Sequence, residues 1–442
     1  MARLTRPTSF AKTIQPDLES RESTGYCYNL SFICRMTHFS SELTHSKEMS
    51  SMNRTIASLL LFAALALALS ACAAPAPAAQ EESMESEAAP MAEEEGDEMA
   101  ENDSEAEFES ILACVVENFP AESYFTNELL PASDVAWEPM ECDSVDSIKV
   151  GMPWVLNDEE APWYNAIELG FFADVCLEVE LVAGGPGVDH LQTLAGGAVD
   201  IAIVAGGSRV PSIVSSPTPA DVVAVGTFLK HSPYIWLGLD PDTPQDQRSD
   251  KVLTPQDFIG KKVGIQGNDD YLFSFMANKH GIPRDEVELM EAGFTPDPVL
   301  VGAMDYIGAW IVNQPRLLEE KGFMNWVAFQ FSDWGWDGYS DVTVVRRETF
   351  EENPDLVRRF LAAQTAGLNY LLENPDESAE IAVVYGVDAQ LTKEQALRRF
   401  ELQEALVVGN DDLPVSHMSA ERWNTQVATM IQYDQLELEA CK

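Results

Sequence analysis

The chain has 442 residues, 46% of them hydrophobic, which is enough for a folded body with a sizeable core. Asp and Glu number 73 against 27 Lys and Arg, which gives a formal net charge of -46. Because nucleic-acid phosphates need cationic partners, this balance argues against a nucleic-acid-binding function.

The first two segments in chain order, residues 1–51 and 52–72, are not part of the predicted folded body. Residues 1–51 carry scattered polar residues without apolar periodicity, and we interpret them as an upstream segment from a start codon placed too early. Residues 52–72 have Arg54, then an apolar core, then small residues before Cys72, which is the layout of an export signal. The apolar core is shorter than the roughly 20 residues that span a bilayer.

The end of this signal, Leu69-Ser70-Ala71-Cys72, resembles the bacterial lipobox. The resemblance implies that Cys72 is acylated and becomes the first mature residue, so that acyl chains hold the protein on the outer face of the cell membrane. Residues 73–110 are rich in Asp and Glu and lack a basic residue from Glu81 to Glu109, which predicts a disordered acidic tether.

Four cysteines follow the tether, the first two of them in an extension over residues 111–146. An even number in an exported chain makes two disulfides plausible, and four cysteines allow three pairings. Of these we favour Cys114 with Cys142 and Cys176 with Cys441. The spacings match no common zinc pattern, so no metal site is predicted.

From Ser147 onward, short β-rich runs alternate with helical stretches, which predicts βαβ units and parallel sheets with helices on both faces. A polar, Pro-rich connector divides two such rounds, and the last part of the chain is helical. The predicted fold class is therefore α/β, with two doubly wound lobes and a helical C-terminal part. The first lobe takes residues 147–240 plus 341–442, and the second takes residues 250–340.

Several motifs in this body resemble one family. IKVGM, APWYNAIELGFFAD, LEVELVAGG, LAGGAVDIAIV, IGKKVGIQG and GAMDYIGAWIVNQPRLLEEKGF resemble, in this order, the periplasmic-type binding proteins of ABC importers for thiamine pyrimidines, riboflavin, alkanesulfonates and nitrate. The resemblance implies the type II periplasmic-binding-protein architecture, hinge closure on a small solute, and delivery to a membrane permease and its ATPase. It also implies a monomer without a cofactor.

Ligands in such folds sit at the carboxyl ends of the strands, where loops and helix N-termini present free N–H groups. The loops at those places are rich in aromatic residues and poor in cations, which favours a flat heteroaromatic ligand. Arg209, Lys230 and His231 keep an alkanesulfonate or nitrate open as the alternative. The candidate ligand-binding residues are Trp154, Asn157, Trp163, Tyr164, Ser208, Arg209, Asn268, Tyr271, Asn313, Trp334, Trp336 and Tyr339.

Two contrasting functions share this sequence pattern. The fungal pyrimidine synthases have the same fold, but they need a Schiff-base lysine and a cysteine-rich iron motif, and no cluster of adjacent cysteines occurs here. No nucleophile elbow, zinc-protease or phosphate-cradle motif appears either, so no catalytic residue is predicted. A sensor that binds the ligand without transporting it would have the same sequence.

Overall fold

The computed structural model of the protein describes residues 97–132, 137–185, 187–266, 270–386 and 391–441. The predictions for residues 1–51, for the signal and Cys72, and for Asn268 lie outside these ranges. Within them, no helix combines the length and the apolar character that crossing a membrane requires.

The first sheet has the strand order β2-β1-β3-β10-β4. Strand β1 pairs in parallel with β2 and β3, whereas β10 is antiparallel to both β3 and β4. Side chains alternate between the two faces: in β3, Ile201 and Ile203 join one core cluster, and Ala202 and Val204 join the other. The strands are β1 (Asp146–Gly151), β2 (Leu177–Val182), β3 (Ile201–Val204), β4 (Val222–Leu229) and β10 (Ser340–Arg346).

The second sheet has the order β7-β6-β8-β5-β9. Strand β6 pairs in parallel with β7 and β8, and β5 is antiparallel to β8 and β9. Trp236 packs on one face of this sheet, and its neighbours Ile235 and Leu237 pack on the other. The strands are β5 (Tyr234–Leu239), β6 (Lys262–Ile265), β7 (Glu288–Glu291), β8 (Tyr306–Trp310) and β9 (Trp326–Gln330).

Helices cover both sheets, and four long ones form the C-terminal part, which confirms the predicted α/β class with two lobes. The sheets are mixed rather than parallel, because β5 and β10 each enter a sheet from the other lobe and run against their neighbours. The helices are α1 (Asp97–Asn118), α2 (Ala161–Glu168), α3 (Phe171–Asp174), α4 (His190–Ala195), α5 (Arg209–Val214), α6 (Asp270–His280), α7 (Asp297–Leu300), α8 (Gln314–Glu320), α9 (Arg347–Glu352), α10 (Pro354–Glu373), α11 (Pro375–Tyr385), α12 (Lys393–Val408) and α13 (Ala420–Gln432).

The chain passes between the lobes at two places, which we call the crossings: residues 230–233 and residues 331–339. The prediction placed the strand Tyr234–Leu239 in the first lobe, but this strand lies between β8 and β9 of the second sheet. The first lobe therefore ends earlier than residue 240. Alternation of apolar residues defines a strand but does not say which sheet it joins.

The N-terminal boundary also differs from the prediction. Helix α1 begins at Asp97, inside the segment predicted as disordered tether up to residue 110. Its residues Phe108, Ile111 and Leu112 pack with Val115 in the core cluster that also contains Trp423 of α13. This apolar stripe gives the acidic segment a surface to bury, which its charge alone does not reveal.

The disulfide pairing favoured from sequence is wrong. Cys114 is bonded to Cys441, and Cys142 to Cys176. The first bond ties α1 to the C-terminal end of the chain, and the second ties the extension to the turn before β2. Proximity along the chain favoured Cys114 with Cys142, but α1 packs beside α13 and so places Cys114 next to the C-terminus.

Candidate functional site

A small cavity lies where the two crossings meet the loop after β3. Its lining includes Gly206 and Ser208 from that loop, Tyr234 and Trp336 beside the crossings, and Gln426 of α13. The free space is about 10 Å³, about enough for one water molecule. The two crossings and the loop after β3 therefore leave almost no free space at this point.

The loop after β3 needs glycine at position 207, because its backbone comes close to the backbone of Tyr339 in the second crossing. The Gly207 amide donates to the Tyr339 carbonyl at 2.9 Å. A Cβ on Gly207 would lie 2.5 Å from that same carbonyl oxygen, closer than real side chains come. The loop and the second crossing are thus held backbone to backbone, as the glycines in the sequence suggested.

Three of the predicted aromatic residues meet near this cavity. Trp336 and Tyr339 are buried and line it, and Tyr271 of α6 contacts the Trp336 ring at 5.6 Å. The Tyr339 hydroxyl accepts a hydrogen bond from the Ser419 amide at 2.6 Å. Another predicted aromatic residue, Trp334, does not line the cavity; it is half-buried and stacks on Phe329 in the second lobe.

Two other predicted aromatic residues lie in the core of the first lobe and not at the cavity. Trp163 is 1% exposed, packs edge-on against Phe228, and donates from Nε1 to Gln364 at 3.2 Å. Tyr164 is fully buried and stacks on Tyr385, and burial raises the pKa of its hydroxyl. Both residues sit on the face of α2 that packs against the C-terminal helices, so a stacking role for them is not supported.

One aromatic contact joins the two lobes directly. Trp154, in the loop after β1, meets Phe294 of the second lobe edge-on at 4.5 Å between ring centroids. The Trp154 carbonyl accepts from the Gly184 amide, and the Phe294 carbonyl accepts from Gln314. Sequence analysis missed Phe294, which follows β7 at the carboxyl end of a strand and could have been found there.

The three cationic residues that suggested an anionic ligand all have carboxylate partners within the protein. Arg209 forms an ion pair with Asp189 at 2.6 Å and lines an open groove of about 730 Å³ on the first lobe, between α4 and α5. Lys230 is buried, and its ammonium donates to Asp411 and to the Leu413 carbonyl. These bonds tie the first crossing to the C-terminal segment.

His231 is held in the same way at the first crossing. Its Nδ1 lies 2.8 Å from Asp337, which also pairs with Arg422 at 2.5 Å. Although burial opposes it, the bond from His231 and the charge of Arg422 lower the pKa of Asp337. The two crossings are thus linked to each other and to α13, with His231 Nδ1 engaged by Asp337.

A buried charged cluster lies between the lobes, and sequence analysis missed it. Arg316 of α8 reaches from the second lobe to both oxygens of Asp158, at 2.7 and 2.9 Å. Arg399 of α12 donates to Asp158 at 2.8 Å and to Glu159 at 3.2 Å. We call this set the acid cluster; it comprises Asp158, Glu159, Glu160, Asp341, Arg316 and Arg399.

Two of the predicted polar residues organise the acid cluster. Asn157 caps the short 3₁₀ turn Asp158–Glu160, accepting from the Glu159 amide while Glu160 accepts from the Asn157 amide. The Asn313 side-chain oxygen accepts from both Arg399 and Arg316. The sequence does show three consecutive acidic residues, Asp158 to Glu160, directly after a predicted ligand-binding loop. Acidic residues in the first turn of a helix are usually exposed to solvent, so the sequence did not predict that these three are buried.

The cluster carries more acid than base. Four carboxyl groups face two guanidinium groups, and burial raises the pKa of Glu160 and of Asp341, with the charge of Glu159 raising both further. Oε1 of Glu159 and both carboxylate oxygens of Asp341 are buried and accept no hydrogen bond from any described N–H group. The raised pKa values favour the neutral forms of Glu160 and Asp341, and the two guanidinium groups pair with Asp158 and Glu159.

Sequence and structure comparisons place the chain among known proteins. A family profile described as NMT1/THI5 like matches residues 157–378. The formylaminopyrimidine-binding protein of Halalkalibacterium halodurans is 26% identical over 67% of this chain and 88% of that protein. The riboflavin-binding protein RibY of Chloroflexus aurantiacus is 23% identical, covering 65% of this chain and 79% of that protein.

Two further similarities bear on activity and fold. A Legionella pneumophila protein named 4-amino-5-hydroxymethyl-2-methylpyrimidine phosphate synthase is 22% identical over 52% of this chain and 70% of that protein. The periplasmic aliphatic sulphonate binding protein SsuA from Escherichia coli superposes with a TM-score of 0.50 at 14% identity, covering 66% of this chain and 88% of that chain. At this identity the likeness shows the fold alone, which is the type II periplasmic-binding-protein fold.

Proposed function

Because this chain belongs to the NMT1/THI5-like family, we propose that it is the solute-binding protein of an ABC importer for a small heteroaromatic nutrient of the pyrimidine or riboflavin type. The relatives named for formylaminopyrimidine and riboflavin binding support this ligand class. The protein acts by binding rather than by catalysis: the ligand enters between the two lobes, the lobes close, and the loaded protein docks on a permease.

The observation that carries the ligand class is the charge of the surfaces between the lobes. Arg209, Lys230 and His231 are committed to carboxylate partners. Glu159 and Asp341, by contrast, bring buried carboxyl oxygens that accept no bond from a described N–H group. An alkanesulfonate or nitrate would find none of these three described cations free, whereas a flat ring needs no cation. The aromatic residues Tyr271, Trp336 and Tyr339 supply ring faces beside the cavity.

The enzyme alternative has support from the synthase-named relative. A Schiff-base mechanism needs a lysine whose amine can lose its proton and reach the ligand. Lys230, the buried lysine at the crossing, instead donates to Asp411 and to a carbonyl. All four cysteines in the described ranges are in disulfides. These contacts argue against Lys230 as a Schiff-base lysine and against an iron site built from these cysteines.

A thermal-shift panel tests the ligand class. The protein from residue 97 onward is melted with formylaminopyrimidine, riboflavin, taurine or nitrate at equal concentrations. A ligand at a hundred times its dissociation constant stabilises the folded state by about 2.7 kcal/mol. We expect a clear rise in melting temperature with one of the two heteroaromatic compounds. A rise with taurine or nitrate alone would overturn the ligand class.

The anchor and the delivery step are also part of the proposal. Cys72 after an export signal supports a lipid-anchored protein on the outer face of the cell membrane. We expect Cys72→Ser to release the protein from membranes or to leave the precursor uncleaved, measured by fractionation and by acyl labelling. Acyl label that persists in Cys72→Ser contradicts the anchor, and it leaves the ligand class untouched.

A further inference from the structure

Helix α8 of the second lobe is bound to helix α12 of the first lobe by polar contacts. Glu319 of α8 accepts from Nε and Nη2 of Arg398, both at 3.1 Å. Arg316, about one turn earlier on α8, donates from Nη1 to the Gln395 carbonyl at 3.1 Å. These two sets of bonds cross from one lobe to the other, and we call the four residues the α8–α12 contact.

Glu319 is fixed in its own lobe as a charged group. Its side chain is 13% exposed and pairs with Arg248 of the connector at 3.3 Å. Its Oε1 accepts from Nε1 of Trp326 in β9 at 3.0 Å. Although burial opposes it, the bonds from Arg398 and Trp326 lower the pKa of Glu319. The carboxylate is therefore ready to receive the two parallel bonds of a guanidinium group, the strongest geometry for such a pair.

Helix α12 belongs to the first lobe and is tied to the first crossing. Its residues Phe400 and Leu406 lie in the core cluster of the first lobe. The Lys230 amide of the crossing donates to the Leu406 carbonyl at 2.7 Å. Arg398 is about 12 Å from Leu406 along the helix, at 1.5 Å per residue. If the second lobe rotates about the crossing, α8 moves past α12 at this distance, and the bonds to Arg398 break.

The chemistry of the α8–α12 contact suits bonds that break and re-form. When charged and polar partners separate, water replaces the bonds that they lose, so the net cost is small. The other contacts between the lobes are of a different kind. Separating Trp154 from Phe294, or Met430 from the core of the second lobe, exposes apolar surface to water.

We propose that the α8–α12 contact is an ionic latch that sets how often the two lobes separate. Opening breaks the bonds of Arg398 to Glu319 and of Arg316 to Gln395, while the crossings stay bonded to each other and serve as the hinge. The latch is independent of the proposed function. Where that function holds, the latch also sets how long a solute stays between the lobes.

Arginine labelling of the full chain with phenylglyoxal tests this inference. The side chain of Arg316 is 8% exposed and lies between the lobes. Arg359 is a matched internal reference, because its side chain is 11% exposed and it bonds Asp146 within the first lobe at 2.6 Å. Separation of the lobes exposes Arg316 and leaves Arg359 covered, whereas unfolding of the first lobe exposes both. Peptide mass spectrometry gives the labelling rate of each.

The latch variants are Glu319→Gln and Arg398→Gln. Arg358→Gln is the control, since Arg358 forms an exposed ion pair within α10. We expect Arg316 to be labelled about threefold to tenfold faster in both latch variants than in the wild type and the control, with Arg359 unchanged; this is the range for losing a partly buried charged pair. Added salt should also speed labelling of Arg316 in the wild type, because ions screen the pair, and should act less on the latch variants.

The outcomes separate the latch from the proposed function, since no ligand is added. If Arg316 is labelled at the wild-type rate in both latch variants, the α8–α12 contact is not a latch, and the proposed function stands. If Arg316 and Arg359 accelerate together in the variants, these unfold the first lobe, and the wild type decides. Labelling of Arg316 in the wild type that does not rise with salt then contradicts the latch, and a rise confined to Arg316 supports it.

Discussion

Two tryptophans in one stretch of chain have opposite surroundings. Trp154 is half-buried in the loop after β1 and touches Phe294 across the lobes, whereas Trp163 is 1% exposed in the core under α2. Sequence analysis gave both the same stacking role, because residue type alone does not say which face of a helix is buried. The structure separates them into a residue between the lobes and a core residue.

We therefore expect the two alanine variants to behave differently. Trp163→Ala should lower the free energy of unfolding by about 3 to 5 kcal/mol, as large truncations in a core do. Trp154→Ala should change it by no more than about 1 kcal/mol. Urea unfolding monitored by far-ultraviolet circular dichroism measures both. Equal losses for the two variants would contradict the assignment of Trp163 to the core.

The polar part of the site was the least predictable from sequence. Asn157 and Asn313 were found because they follow strands and precede helices. Arg399 and Asp341 were missed, since they come from the C-terminal helices and from β10, remote in the chain from Asn157. Their approach to Glu159 depends on how the elements pack, and a single sequence contains no signal for that.

At the scale of elements, most strands and helices follow the sequence pattern. The alternating runs from IKVGM to WVAFQF each form a strand, with helices between them. What could not be read is which sheet a strand joins, because β5 and β10 have ordinary strand patterns and become antiparallel only after the chain crosses. The sequence did not predict that α1 begins at Asp97, because the acidic composition of this segment indicated a disordered tether.

The disulfide between Cys114 and Cys441 gives a test of how α1 is held. In the double variant Cys114→Ser with Cys441→Ser, we expect amide hydrogen exchange in residues 105–118 to accelerate, because the cross-link contributes about 2 to 4 kcal/mol. Exchange in the two sheets should change little. The matched control is Cys142→Ser with Cys176→Ser, which leaves α1 attached. Unchanged exchange of α1 in the first variant would mean that its apolar contacts with α13 suffice.

At the scale of the whole molecule, several kinds of contact join the lobes, among them the apolar packing of Met430 and Tyr433 on the core of the second lobe. Two crossings connect the chain, Trp154 meets Phe294, and Arg316 bonds Asp158 across the lobes. Removing one partner from a buried ion pair leaves an uncompensated charge, whereas lobe opening returns both partners to water. These contacts hold the two lobes together in this structure.

We propose that the protein binds one flat heteroaromatic molecule of the pyrimidine or riboflavin type between its lobes, and not an anion. Isothermal titration of formylaminopyrimidine into the purified protein tests it most directly, with riboflavin, taurine and nitrate titrated in parallel. We expect saturable binding of one molecule per chain for formylaminopyrimidine or riboflavin, and no heat of binding for the anions. One taurine or nitrate bound per chain, with no binding of either heteroaromatic compound, would contradict it.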